Sequence, residues 1–118
     1  MIAVIYQLDR ERSLKLGFKA MARLEKIFEK NVDKWNVKEL SFDEAANILT
    51  EASRNDDPNI DKEKMMDLID EYSDSRTAFK KTYECINEAF GKNDKPVEEQ
   101  NPPDAAQQQV EQQNGTGV

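Results

Sequence analysis

Apolar and polar positions alternate at the start of the chain. Ile2, Val4, Tyr6 and Leu8 interleave with Ala3, Ile5 and Gln7, and Leu14, Leu16 and Phe18 interleave with Ser13, Lys15 and Gly17. A period of two predicts half-buried strands, because successive side chains leave opposite faces of a pleated backbone. The charged residues 9–12 between the two runs suit a hairpin connection, although they include no Asn-Gly or Asp-Gly pair. After Gly17 the period lengthens. Phe18, Met21, Leu24 and Phe28 fall on one helical face with Ile27 beside them, which predicts a first helix running to about Lys30. Residues 31–40 carry no clear period. Their Trp35, the single Trp of the chain, is expected to cover the edge of the core, since an isolated Trp normally contributes buried area.

A second helix starts at a capping box. The Ser41 hydroxyl can accept from the backbone N–H of Glu44 while the Glu44 carboxylate accepts from the backbone N–H of Ser41. Ala45, Ile48, Leu49 and Ala52 form its apolar stripe, and the polar run Arg54, Asn55, Asp56, Asp57, Pro58 ends it. A third helix follows from about Asp61, with Met65, Leu68, Ile69 and Tyr72 facing inward. Glu63, Asp67, Asp70, Glu71 and Asp74 form an acidic stripe on its outer side. The fourth helix, from about Ser75 to Phe90, sets a bulky row (Phe79, Tyr83, Ile86, Phe90) beside a small one (Ala78, Thr82, Cys85, Ala89). So wide an apolar face suits a helix held between two neighbours, or between one neighbour and another chain. Gly91 supplies a stop at C′. Beyond it the chain has no aromatic residue and no Leu, Ile or Met. The expected fold class is therefore α+β and mainly α-helical. An N-terminal β-hairpin and about four helices make one domain over residues 1–91, followed by a disordered tail rich in Gln, Pro and acid over 92–118.

Composition narrows the chemistry. Of 118 residues 24 are acidic and 17 basic, giving a net charge of −7, and the chain has no His and one Cys. The tail holds five acids and two lysines, a charge of −3, so −4 remains on the body and acidity is shared between the two. Zinc sites of the Cys/His kind, disulfide frameworks and His-based proton transfer all lack parts. An acidic surface disfavours the phosphate backbone of nucleic acids. The longest unbroken apolar run, residues 1–6, is too short to span a bilayer or to serve as a signal-peptide core. The expectation is a soluble, intracellular, non-enzymatic chain that needs no cofactor and binds neither nucleic acid nor membrane. A calcium loop starting at Asp57 fails, because Lys62 stands where the sharp turn needs Gly and Leu68 where a bidentate Glu belongs.

The candidate partner-binding residues lie on the last two helices. Glu63, Asp67, Asp70 and Asp74 offer a charged docking stripe for a basic helix, with the plain alternative of a solvated face. Met66 points away from the inner stripe and adds an adaptable apolar contact. Ala78, Thr82, Cys85 and Ala89 allow another helix to approach closely, within the fold or between subunits of a homo-oligomer. Cys85 is otherwise a small hydrophobe, with Lys81 the one cation supplied by the adjacent turns.

Taken in order, these features are a hairpin, a helix containing ARLEKIFE, the capped helix SFDEAANILTEA, the loop NDDPNID, the helix KEKMMDLIDEY and a last helix RTAFKKTYECINEAFGKN before a polar tail. The pattern resembles the tail assembly chaperones of long-tailed bacteriophages and related gene transfer agents. The resemblance covers roughly residues 2–92 and rests on Leu24 and Glu25, on Asp57 and Pro58, on residues 67–70 and on the closing Phe90 and Gly91. It implies a non-enzymatic assembly factor in the bacterial cytoplasm that binds the tape measure protein, keeps it in solution and helps recruit tail tube subunits, and that is absent from the finished virion. It also implies a longer frameshifted form, of which this chain would be the shorter counterpart. The alternative from the residues themselves is a small acidic adaptor or regulatory protein that binds one folded partner through the same helices.

Overall fold

The computed structural model describes residues 2–91; the tail expected over 92–118 lies outside the described residues. The chain is α+β and mainly helical. Strands β1 (Val4–Gln7) and β2 (Glu11–Leu14) pair antiparallel, with Val4 opposite Leu14 and Tyr6 opposite Arg12. Four helices follow: α1 (Phe18–Phe28), α2 (Phe42–Ser53), α3 (Lys62–Tyr72) and α4 (Ser75–Ala89). Two short 3₁₀ turns, Val32–Lys34 and Val37–Glu39, fill the connection between α1 and α2.

Local chemistry sets the boundaries. The capping box is formed in both directions: the Glu44 N–H donates to Ser41 Oγ at 3.0 Å and the Ser41 N–H donates to Glu44 Oε1 at 2.8 Å. Asp61 accepts from the Lys64 N–H and Asp74 from the Thr77 N–H, each at 2.8 Å, so α3 and α4 both start on an acidic cap. The chain leaves α1 through Glu29 in the left-handed region, and leaves α4 through Gly91 at φ 60°, where the missing Cβ removes the steric cost.

Helix α2 is the axis of the fold. Helices α1, α3 and α4 and strand β2 all pack against it, and α4 also rests on β1. Tyr6, Leu14, Leu16, Leu24, Ile48, Leu49 and Met65 are fully buried at the centre. The outer edge of β2 is joined to the end of α2: the Lys15 N–H donates to the Ala52 carbonyl at 3.0 Å and the Ser13 N–H to Asp56 Oδ2 at 2.8 Å. Trp35 is buried as a cover, edge-on to Phe28 with 5.1 Å between ring centroids, and its indole N–H donates to the Lys30 carbonyl.

Three expectations are corrected. Phe18 is 93% exposed rather than inward, because the inner stripe of α1 runs through Ala20 and Leu24 with Met21 and Phe28 partly covered. Tyr72 is half-exposed in the last turn of α3, where the chain bends away through Ser73. Arg12, expected within the charged turn, is a β2 residue whose side chain lies inside the protein at 3% exposure. It shares the inward face with Leu14 and Leu16, as a period of two requires.

Candidate functional site

The two ends of α2 differ in character. At its C-terminal end, charges lock the fold. The Arg12 guanidinium donates to both oxygens of Asp9 (Nε to Oδ1 3.0 Å, Nη2 to Oδ2 2.9 Å) and to Asp57 Oδ2 at 2.7 Å. This fork ties the hairpin turn to the loop after α2. Hydrogen bonds from Arg12 hold the Asp9 carboxyl below its usual range, and Asp9 in turn raises the pKa of Arg12. In a second network the buried carboxylate of Glu51 takes Arg23 of α1 at 2.7 Å and Arg54 at 3.0 Å. These groups satisfy one another, which is the behaviour of structural ion pairs and leaves little chemistry to offer.

At its N-terminal end α2 is the floor of an open slot. Ala45, Ala46 and Leu49 form the floor, Met66, Ile69 and Asp70 the α3 wall, and Ser75, Ala78 and Phe79 the α4 wall. The enclosed space is about 220 Å³. Phe42 stands at the mouth, 70% exposed, with its ring 5.3 Å from that of Phe79 in an edge-to-face contact. Floor and walls are apolar except for Asp70 and Ser75. The small side chains of Ala45, Ala46 and Ala78 leave the space that larger residues would fill.

Of the residues expected to bind a partner, Met66, Asp70 and Ala78 are brought together at this slot. Glu63 and Asp67 are exposed on α3 beside it. Asp74 belongs to a different element from the one expected: it caps α4, and the Thr77 N–H holds its carboxyl below the usual range. Thr82 and Cys85 are sealed in the protein's own core, and Ala89 packs against that core half-buried. The small row of α4 thus serves close approach within the fold, where Thr82 Oγ1 donates to the Ala78 carbonyl at 2.8 Å. Of the two placements expected for this row, within the fold or between subunits, Thr82 and Cys85 take the first. Burial pushes the Cys85 thiol up to about 12, with Glu84 adding to the shift and Lys81 opposing it.

Phe42, Ala45, Ala46, Leu49, Ile69, Ser75 and Phe79 complete the slot, and none of them is among the contact residues expected from the sequence. One signal was available for Phe42. It occupies the first helical position after the cap, where a bulky apolar residue gains nothing from the helix terminus and a polar one would. Ala45, Ile69 and Phe79 read as ordinary stripe residues and Ala46 lies beside the stripe read for α2, and only the spacing of α3 and α4 across α2 leaves a space next to them.

Among the described residues no cluster of three or more acidic or thiol groups is placed to hold a metal ion, and no helix is long and apolar enough to cross a membrane. The fold and the slot define a small hairpin-and-helix domain with an apolar recess on an acidic surface. Comparison with protein-family models, curated proteins and solved structures finds no match.

Proposed function

We propose that the chain is a tail assembly chaperone of the long-tailed phage type. It would bind the tape measure protein in the bacterial cytoplasm, keep it in solution and help recruit tail tube subunits, and be absent from the mature virion. The observation that carries the reading is an apolar recess open to solvent on a chain of strong net negative charge. A holding factor for a long, aggregation-prone client needs both parts: an apolar surface to engage the client, and like charge to keep the complex dispersed. The succession of hairpin, capped helices and Asp57–Pro58 loop supports the same reading, because it is the order on which the resemblance rests.

Co-expression tests it. The chain is produced together with the product of the very long reading frame downstream of its gene, and the soluble fraction is compared with that of the long product alone. The expected result is a soluble complex of the two. A long product that stays equally insoluble in both cultures, while affinity capture returns one short folded regulatory protein, would replace the chaperone with an adaptor. The coding DNA provides an independent check: a slippery run near the last body codons followed by an overlapping frame is expected.

A further inference from the structure

The slot has the shape of a missing helix. Helices α3 and α4 each lean on α2, and between the second half of α3 and the start of α4 they leave a recess whose floor, Ala45, Ala46 and Leu49, lies deep and almost out of reach of solvent. Two helices pack with axes about 8–10 Å apart, the shorter distances requiring small side chains at the contact. Ala45 and Ala46 on the floor and Ala78 on the wall meet that requirement. The enclosed volume, about 220 Å³, is below the range of about 300–1,000 Å³ typical of small-molecule pockets. It is room for a single large side chain, the anchor of a helix lying in a groove.

Charge selects among helices. The α3 side of the slot carries Asp70 on the wall, with Glu63 and Asp67 exposed on the same helix. None of these three has a Lys or Arg within 4.0 Å among the described residues. The α4 wall is uncharged at Ser75, Ala78 and Phe79, and at the mouth Asp43 is already paired with Lys62. The acidic charge beside the slot therefore lies on its α3 side, while Arg76 and Lys80 are exposed on α4. A second copy of this acidic chain would bring like charge to that rim, whereas a cationic flank would meet it with attraction and a defined orientation.

We infer that the slot between α3 and α4 seats an amphipathic helix of a partner protein, one bulky apolar side chain filling the recess over Ala45 and Ala46 and a Lys/Arg flank lying along Asp67 and Asp70. The inference rests on the chaperone reading only for the identity of that partner. The recognition chemistry comes from the slot itself.

Two fluorescent peptides of about five helical turns test it, identical in a leucine stripe and differing only in whether lysines or glutamates flank the stripe. Anisotropy with the full chain is expected to show the lysine peptide binding at least about tenfold tighter, an advantage that shrinks as salt is raised. The double reversal Asp67→Lys, Asp70→Lys is expected to invert the preference. Phe42→Ala, at an exposed position, is expected to weaken binding about fivefold while the chain still melts cooperatively, with a melting temperature lowered only by the loss of the edge-to-face contact with Phe79. Equal affinity for the two peptides, no binding by either, or an unaltered preference after the double reversal overturns the inference. Separating it from the functional reading needs one comparison. If the long client is solubilised equally by the wild-type chain and by both variants, the slot inference falls and the chaperone stands. If the lysine peptide binds as expected but the client is not solubilised, the slot stands and the chaperone falls.

Discussion

Removing the Arg12 side chain is the most informative single perturbation of the fold. Arg12 is 3% exposed, and its guanidinium makes three charge-assisted hydrogen bonds at 2.7–3.0 Å, two to Asp9 and one to Asp57. Breaking a fully buried ion pair by deleting one partner costs about 3–5 kcal/mol, because the other charge is left uncompensated. Here the side chains of Asp9 and Asp57 are 31% and 32% exposed, so water can recover part of their solvation. The loss for Arg12→Ala is therefore set lower, at about 2–3 kcal/mol. For a domain of this size it lowers the melting temperature by about 10–20 °C. Arg12→Lys keeps the charge but not the fork, and is expected to lose about half as much. Urea melts followed by circular dichroism measure both. The acid limb adds an independent reading. Asp9 titrates below its ordinary 3.8 in the folded chain because Arg12 hydrogen-bonds it. Its contribution is then fully present above the unfolded value and is lost as pH falls through the lower folded one. Asp9→Asn should flatten the loss of stability below about pH 4. If Arg12→Ala changes stability by less than about 0.5 kcal/mol, the hairpin does not depend on this fork and the reasoning fails.

Three further outcomes follow from single groups. Ser41→Ala removes half of the capping box and is expected to cost about 1 kcal/mol, measured by the same melts; no change would mean that the Glu44 half suffices. Ser53 Oγ is buried with no hydrogen-bond partner among the described residues, so Ser53→Ala should be neutral or stabilising by about 1 kcal/mol, and a clear loss would reveal a partner for that hydroxyl. Cys85, with its thiol pushed up to about 12, should resist Ellman's reagent at pH 8 in the native chain and react only on unfolding; rapid stoichiometric labelling would contradict its burial.

Features set by local chemistry were readable in the sequence. The capping box, the start of α3 at Asp61, the Gly91 stop and the stripe Ala45, Ile48, Leu49, Ala52 depend on neighbours within one turn, and the fold places them as their spacing predicts. Features set by long-range pairing were not. Arg12 carries the type of a turn residue, and what turns it inward is Asp57, 45 positions away. Phe18 fits the period of both flanking elements, but the turn at Gly17 gives the inward position to Ala20. The slot was half legible: Met66 and Asp70 stand out on their own helix, whereas Phe42 and Phe79 border an opening only because α3 and α4 stand apart over α2. A wide apolar face on α4 signals two neighbours, and the sequence leaves open whether both belong to the chain. The fold answers for Thr82 and Cys85, which turn into the chain's own core, and leaves Phe79 at an open wall.

The division of labour along α2 bears on how a partner could be held without cost to the fold. From Ile48 to Ser53 every α2 residue is buried, and the Arg12 and Glu51 networks gather around that end. At the other end Phe42 is exposed, and Ala45 and Ala46 line a space the chain does not fill. Stability is thus concentrated where the hairpin, α1 and the loop after α2 converge, while the recess is bordered by the capped starts of α2 and α4 and by the second half of α3. An apolar recess normally lowers stability, since its lining forgoes packing contacts. It is tolerated here because the stabilising interactions lie at the opposite end of the same helix. Substitutions at Phe42, Asp67 and Asp70 are then expected to separate binding from folding, whereas substitutions at Arg12 and Glu51 act on folding first and on binding only through it.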